Sequence, residues 1–298
     1  MTGQTVGFVG LGAMGGPMAA NLVRHGFRVQ GFDLAKPALD ALAAEGGSAC
    51  TDPAAAAEGA GVLVLMVASG AQADAVLAAA EPALREGGTV ILHSTVPAGY
   101  VRGLGERLAG RGLHLLDGPV SGGQVGAKNG RLTIMASGSE AAFAAAEPVM
   151  QAYSAKIYRL GAEPGIGSTV KMINQLLAGV HITAAAEAMA LATRAGADPA
   201  TVFDVMRNAA GQSWMLENRV PHILARDFTP LSAVDIFVKD LGIVLDTGRE
   251  LRFPLPLAAA AHQQFLAAAA AGLGREDDSA VVKVYEKLAG IEVKGGEG

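Results

Sequence analysis

Residues Gly165–Arg194 read GIGSTVKMINQLLAGVHITAAAEAMALATR. Helix-forming and apolar residues fill the stretch and no proline interrupts it, which predicts one long helix. Lys171, Asn174 and Gln175 stand at offsets that share one helical face, and Ala178 and His181 follow on the same side. A cation and two amides aligned on an otherwise apolar helix are unusual. Before this helix the chain alternates strand-like and helix-like segments; after it the chain reads as helices only. The expected fold is therefore α/β: a Rossmann-type doubly wound sheet domain, 1–163, followed by an all-helical domain, 164–298. Residues 164–194 form the long interdomain helix, and such a seam is where ligand sites tend to form.

The first segment upstream supports this division. Thr5 to Val9 is a short apolar strand, and Gly10-Leu11-Gly12-Ala13-Met14-Gly15 follows it, ahead of an amphipathic helix ending near His25. This is G-x-G-x-x-G between strand and helix, the pattern of a loop that lets backbone approach a pyrophosphate at a helix N-terminus. A second strand, Arg28 to Phe32, ends in Asp33, where a carboxylate would take the ribose hydroxyls of NAD. The same carboxylate repels a 2′-phosphate. Its neighbours Leu34 and Ala35 offer no cation to offset that, and Lys36 is the only one nearby, so NAD is expected over NADP.

Val62 to Val67 and Thr89 to Leu92 are continuous apolar strands separated by helical stretches, which implies a parallel sheet covered on both faces. Ligands of such sheets bind beyond the carboxyl ends of the strands, so Val67, Ala68 and Thr95 should border the cofactor. Thr95 also reads as a helix N-cap before Val96-Pro97. In Asp117-Gly118-Pro119-Val120-Ser121-Gly122-Gly123, Ser121 and its glycines offer a hydroxyl and backbone N–H groups to a substrate carboxylate. An ordinary glycine-rich loop would look the same.

At the start of the long helix, Ser168 or Thr169 is the expected N-cap, which puts Lys171 in the first turn. There the helix dipole and burial both favour an uncharged amine able to take a proton from an alcohol. A surface lysine is the plainer reading. Downstream, Trp214 reads first as an aromatic anchor of the helical core and second as a substrate contact. Asp277-Asp278-Ser279 reads as the cap of the final helix.

Composition excludes other classes. The chain has 298 residues, a net charge of −5 and no Lys/Arg-rich block, which argues against nucleic acid. No run approaches the roughly 20 apolar residues of a membrane span, and the N-terminus enters a strand without a signal segment. One cysteine, Cys50, excludes an internal disulfide. The expectation is a cytoplasmic protein that needs no metal.

In order, GFVGLGAMG, HSTVP, DGPVSGG, GSTVKMINQ and FVKDLG resemble the β-hydroxyacid dehydrogenases, the family of 3-hydroxyisobutyrate dehydrogenase and tartronate semialdehyde reductase. The resemblance runs from Val6 to about Tyr285. It implies hydride transfer between NAD and a short hydroxyacid, with Lys171 as catalytic acid/base and Asn174 and Gln175 orienting it or the substrate. It also implies that Ser121, Gly122 and Gly123 hold the carboxylate, that Thr95 and Lys239 lie at the cofactor, and that the chain forms dimers or tetramers. Several members carry Asn where this chain has Gln175, which leaves that amide's role open. Phrases of the helical half, among them QLLAGVHITAAAEAMALA and AAGQSWMLENRVPH, resemble the branch acting on four-carbon sugar acids and imply L-threonate as substrate. A non-catalytic NAD sensor on the same fold is the rival from another class; it would have no use for Lys171 and its amides.

Overall fold

The computed structural model describes residues 3–295. The chain divides into two compact units, Met1–Lys171 and Met172–Gly298.

The first unit is built around one sheet. Its opening elements are β1 (Thr5–Val9), α1 (Gly15–Arg24), β2 (Arg28–Phe32), α2 (Lys36–Ala44), β3 (Ser48–Ala49) and α3 (Pro53–Ala57). β4 (Val62–Leu65), α4 (Gly70–Ala80), β5 (Thr89–Leu92), α5 (Ala98–Ala109) and β6 (His114–Asp117) continue the alternation. β7 (Val120–Ser121), α6 (Gly123–Lys128), β8 (Leu132–Ser137), α7 (Glu140–Gln151) and β9 (Ser154–Gly161) complete it. The strand order is β3-β2-β1-β4-β5-β6-β8-β7, with β9 paired to β8. Strands β1 to β6 pair in parallel. The expectation of a parallel sheet holds for these; β8 runs antiparallel to β6 and β7.

Side chains alternate between two apolar layers, as the period of a strand requires. In β4, Val62 and Val64 join one cluster while Leu63 and Leu65 join the other; Ile91 against Val90 and Leu92 repeats this in β5. Met18 and Leu22 of α1 and Phe143, Ala146 and Val149 of α7 cover the first face. Leu77 of α4 and Val101, Leu104 and Leu108 of α5 cover the second. The sheet is thus doubly wound.

α8 runs from Ile166 to Arg194, one residue inside the predicted bounds. By length and composition it qualifies to cross a membrane, contrary to the expectation that no segment would. Its buried residues include Ser168, Lys171, Gln175, Ile182, Ala186 and Met189, as in the core helix of a folded domain.

The second unit adds α9 (Pro199–Met206), α10 (Trp214–Ala225), α11 (Val234–Leu251), α12 (Pro256–Ala268) and α13 (Val282–Ala289). It is helical among the described residues, as expected. Its core joins Ile182 and Met189 of α8 to Val220 and Ile223 of α10, Phe237 and Leu241 of α11, and Phe265 of α12. The rings of Phe237 and Phe265 stack with centroids 5.1 Å apart. Arg219 is buried because Asp278 meets it in bidentate fashion, at 2.5 Å from Nε and 3.1 Å from Nη2. Asp277 caps the turn at Asp278–Val281 that leads into α13. Trp214 is more than half exposed, so it does not anchor this core. As the first residue of α10, after the cap Ser213, it is carried away from the buried face.

Candidate active site

The glycine loop closes on itself before any ligand is considered. Gly10 has φ +95°, and a Cβ there would lie 2.3 Å from the Met66 carbonyl oxygen and 3.3 Å from Val67 Cγ1. At Gly15 a Cβ would lie 1.8 Å from the Gly10 carbonyl oxygen. Both positions need glycine for the fold itself. Gly12 is different: nothing stands within 4 Å of its would-be Cβ, and Gly12 and Ala13 are exposed. Its backbone is open on the side where a dinucleotide pyrophosphate would approach, ahead of Met14 at the N-cap of α1.

Asp33 ties this loop to the end of β2. Its Oδ2 accepts from Leu11 N at 2.7 Å and its Oδ1 from Ala35 N at 2.8 Å. Leu34 beside it is 94% exposed, and Lys36 Nζ is held by Asp40 Oδ1 at 2.7 Å. Lys36, the nearest cation along the chain, is thus paired with Asp40. These residues fit NAD.

The end of β4 meets the loop at Gly10, and the end of β5 bonds to the end of β4. Val67 N donates to the buried Ser94 Oγ at 3.3 Å, and Ala68 N donates to Gln72 Oε1 at 2.8 Å. Thr95 is half-buried and does not cap α5, whose cap position is Pro97 with no side-chain bond. The N-cap reading of Thr95 therefore fails: proline falls one residue before the first helical turn.

Ser121, on β7, is half-buried and paired in register with Thr133 of β8. Gly122 and Gly123 have φ +126° and +61°, and Gly123 has open space at its would-be Cβ. His93, in the HSTVP phrase, fixes the base of this loop. Its Nδ1 donates to the Gly118 carbonyl, and its Nε2 accepts the Tyr153 hydroxyl at 2.9 Å. Full burial pushes the imidazole down to about 4, so it is neutral, while its bond to Gly118 opposes the shift. Nothing in the spacing pointed to this pair.

Lys171 is 7% exposed. It lies in the second turn of α8 and not the first, because the helix starts at Ile166. Neither Ser168 nor Thr169 is its N-cap. The carboxylate of Asp117, from the end of β6, takes the helix-start donors instead: Gly165 N at 2.9 Å and Ser168 N at 2.8 Å reach its Oδ2. Burial pushes Asp117 above the usual carboxylate range, and the bonds from Ser168, Gly165 and Ser137 pull against it.

In the second unit Asn174 and Gln175 belong to one polar chain. Asn174 Nδ2 donates to Gln175 Oε1 at 2.9 Å, and Gln175 Nε2 donates to Asp240 Oδ2 at 2.6 Å. Lys239 Nζ stands 2.7 Å from Asp240 Oδ1. The length of Gln175 is what lets it reach a carboxylate on α11 while accepting from its neighbour. Asp240, a polar residue of the FVKDLG motif, is the acceptor on which this chain ends.

Residues 5–161 match a family described as the NAD binding domain of 6-phosphogluconate dehydrogenase. Residues 165–285 match one described as NAD-binding of NADP-dependent 3-hydroxyisobutyrate dehydrogenase. An L-threonate dehydrogenase of Cupriavidus necator is 53% identical over 295 residues, covering 98% of this chain and 98% of that one. An L-threonate dehydrogenase of Escherichia coli (strain K12) is 50% identical over 287 residues, 95% of each chain. The crystal structure of a 3-hydroxyisobutyrate dehydrogenase from Salmonella typhimurium superposes with a TM-score of 0.90 at 48% identity, covering 94% of this chain and 99% of that one. With both halves matched and identity sustained over nearly the whole length, the chain belongs to the 3-hydroxyisobutyrate dehydrogenase-like family of NAD(P)-dependent hydroxyacid dehydrogenases.

Proposed function

We propose that the protein oxidises L-threonate to its 2-oxo acid with NAD, with Lys171 as the general base. The observation that carries the substrate is the identity to L-threonate dehydrogenases, 53% and 50% over nearly full length. Bound NAD supplies the hydride acceptor. Lys171 takes the hydroxyl proton as the hydride leaves the same carbon, and its burial keeps water from competing for that proton. Ser121 Oγ and the N–H groups of Gly122 and Gly123 hold the substrate carboxylate; the open backbone at Gly123 supports that role. Asn174 and Gln175 orient Lys171 or the substrate, supported by the hydrogen-bonded chain that fixes both amides. Gly10, Leu11, Gly12, Ala13, Met14 and Gly15 cradle the pyrophosphate, Asp33 takes the ribose hydroxyls, and Val67, Ala68, Thr95 and Lys239 line the remainder of the cofactor site.

Discrimination against NADP rests on Asp33 and on Lys36 being engaged by Asp40. The protein acts in the cytoplasm as a homodimer or homotetramer. Support for assembly comes from exposed apolar side chains of the second unit, among them Leu251, Leu257 and Leu288. A second reading, 3-hydroxyisobutyrate oxidation, is favoured by the name of the Salmonella protein. Steady-state kcat/KM with NAD across a panel of short hydroxyacids decides between them.

A further inference from the structure

Asp117 ends β6, is fully buried, and opens the run that leads to Ser121. It accepts four hydrogen bonds. Gly165 N, Ser168 N and Ser137 Oγ reach Oδ2 at 2.9, 2.8 and 3.3 Å, and Ser168 Oγ reaches Oδ1 at 2.7 Å. Gly167 N donates to Ser137 Oγ at 3.0 Å, so Asp117 and Ser137 together satisfy the helix-start donors of Gly165, Gly167 and Ser168. The approach is close because Gly167 has no side chain: a Cβ there would lie 2.3 Å from the Met135 carbonyl oxygen and 2.9 Å from that of Asp117. Lys171 follows Gly167 one helical turn later. On the other side of Asp117, Gly118 is held twice, by its N–H to Leu92 O at 2.9 Å and by its carbonyl to His93.

We propose that Asp117 is a positioning residue for the reaction. By tying the start of α8 to the end of β6, it sets the separation between the Lys171 amine and the carboxylate seat at Ser121–Gly123. This rests on the reading of Lys171 as the general base. A second-turn side chain inherits any shift or tilt of the helix start, and reacting groups misplaced by about 1 Å can cost 10²-fold.

The test is Asp117→Asn in the full-length protein, assayed with NAD and L-threonate. The amide removes the charge that holds the Gly165 and Ser168 N–H groups and puts a donor where Oδ1 accepts from Ser168 Oγ. The expected result is a fall in kcat of about 10–10²-fold, with the dissociation constant for NAD, measured by calorimetry, changed less than about twofold. The same substitution in a Lys171→Met background should change the residual rate less than about twofold, because the two residues act as one unit. A kcat for D117N above half of wild type would overturn the proposal. So would an equal loss in the two backgrounds, which is what a general structural defect gives. If D117N does not fold, Ser137→Ala with Ser168→Ala removes the hydroxyl donors and keeps the carboxylate; a kcat loss of about 2–10-fold is then expected, and an unchanged kcat overturns the proposal. Full activity in K171M alone would instead defeat the Lys171 reading.

Discussion

The Leu11 amide donates to Asp33 Oδ2 at 2.7 Å across 22 residues of chain. The carboxylate proposed to select NAD therefore also holds the glycine loop in place, and cofactor choice and loop geometry are mechanically coupled. Asp33→Ser with Leu34→Arg removes the repulsion of a 2′-phosphate and adds a guanidinium at an exposed position. The kcat/KM ratio of NAD to NADP should fall by more than about tenfold, a shift of roughly 1.4 kcal/mol. Efficiency with NAD should fall as well, because the loop loses its tether. A wild type that already prefers NADP would show the reading of Asp33 to be wrong.

The loop glycines separate fold from ligand. Gly15→Ala would put a methyl 1.8 Å from the Gly10 carbonyl oxygen and should destabilise the protein by at least about 3 kcal/mol, read by denaturant unfolding. Gly12→Ala meets nothing of the protein within 4 Å, so Tm should stay within about 2 °C. Its effect should appear instead in KM for NAD, raised about tenfold or more. Equal loss of stability in the two variants would remove the case for Gly12 as a cofactor contact.

Lys171→Met should leave the fold and NAD affinity near wild type while lowering kcat by about 10²–10⁴-fold. Retention of more than roughly a tenth of wild-type kcat, which is below the range for a general acid/base, defeats the role.

His93 makes a pH prediction with a definite sign. Its folded-state value, about 4, lies below the ordinary histidine value, so the unfolded chain binds the extra proton between them. The stabilisation is complete above about pH 6.5 and is lost as pH falls toward 4, an amount of roughly 3 kcal/mol. Asp278, raised to about 6 mainly by burial, acts in the opposite sense over much of that window. The contribution of His93 is therefore read as a difference: between pH 7.5 and 5, wild type should lose more unfolding free energy than His93→Asn. Parallel curves would mean that His93 is not held neutral.

What was legible in the sequence follows from how far apart the cooperating residues lie. β1, the glycine loop, α1 and Asp33 form one contiguous βαβ passage, so spacing alone predicts their geometry. The two buried faces of the sheet were visible as continuous apolar runs. Asp117 and Ser168 are 51 residues apart, and Gln175 and Asp240 are 65 apart. No periodicity links such partners; they meet only because the sheet order and the helical core bring them together. The N-cap of α8 has the same origin: Ser168 and Thr169 are the local candidates, and a strand residue 48 positions before Gly165 supplies the acceptor. Trp214 was misjudged because side-chain size predicts burial on average, while the cap at Ser213 decides which face this residue takes.

The substrate prediction turns on polar partners. L-threonate carries hydroxyls along its chain, whereas 3-hydroxyisobutyrate presents a methyl that wants an apolar wall. A site built to hydrogen-bond hydroxyls rejects analogues lacking them, because its own polar groups are left unpaired; the penalty can reach about 10⁴–10⁵. The second unit has polar groups to draw on: Asn174 and Gln175 are locked to each other and to Asp240, and His181 and Asn218 are partly exposed. With NAD as cofactor, kcat/KM should be highest for L-threonate among L-threonate, D-threonate, D-erythronate, 3-hydroxyisobutyrate and glycerate. The deficit for 3-hydroxyisobutyrate should exceed about 10², more than a single methylene-sized mismatch in an apolar pocket supplies. Higher efficiency on 3-hydroxyisobutyrate than on every four-carbon sugar acid would reverse the substrate assignment and leave the family standing. It would also mean that the chain from Asn174 to Asp240 serves Lys171 and not the substrate hydroxyls, since an apolar-walled pocket leaves those amides no other work.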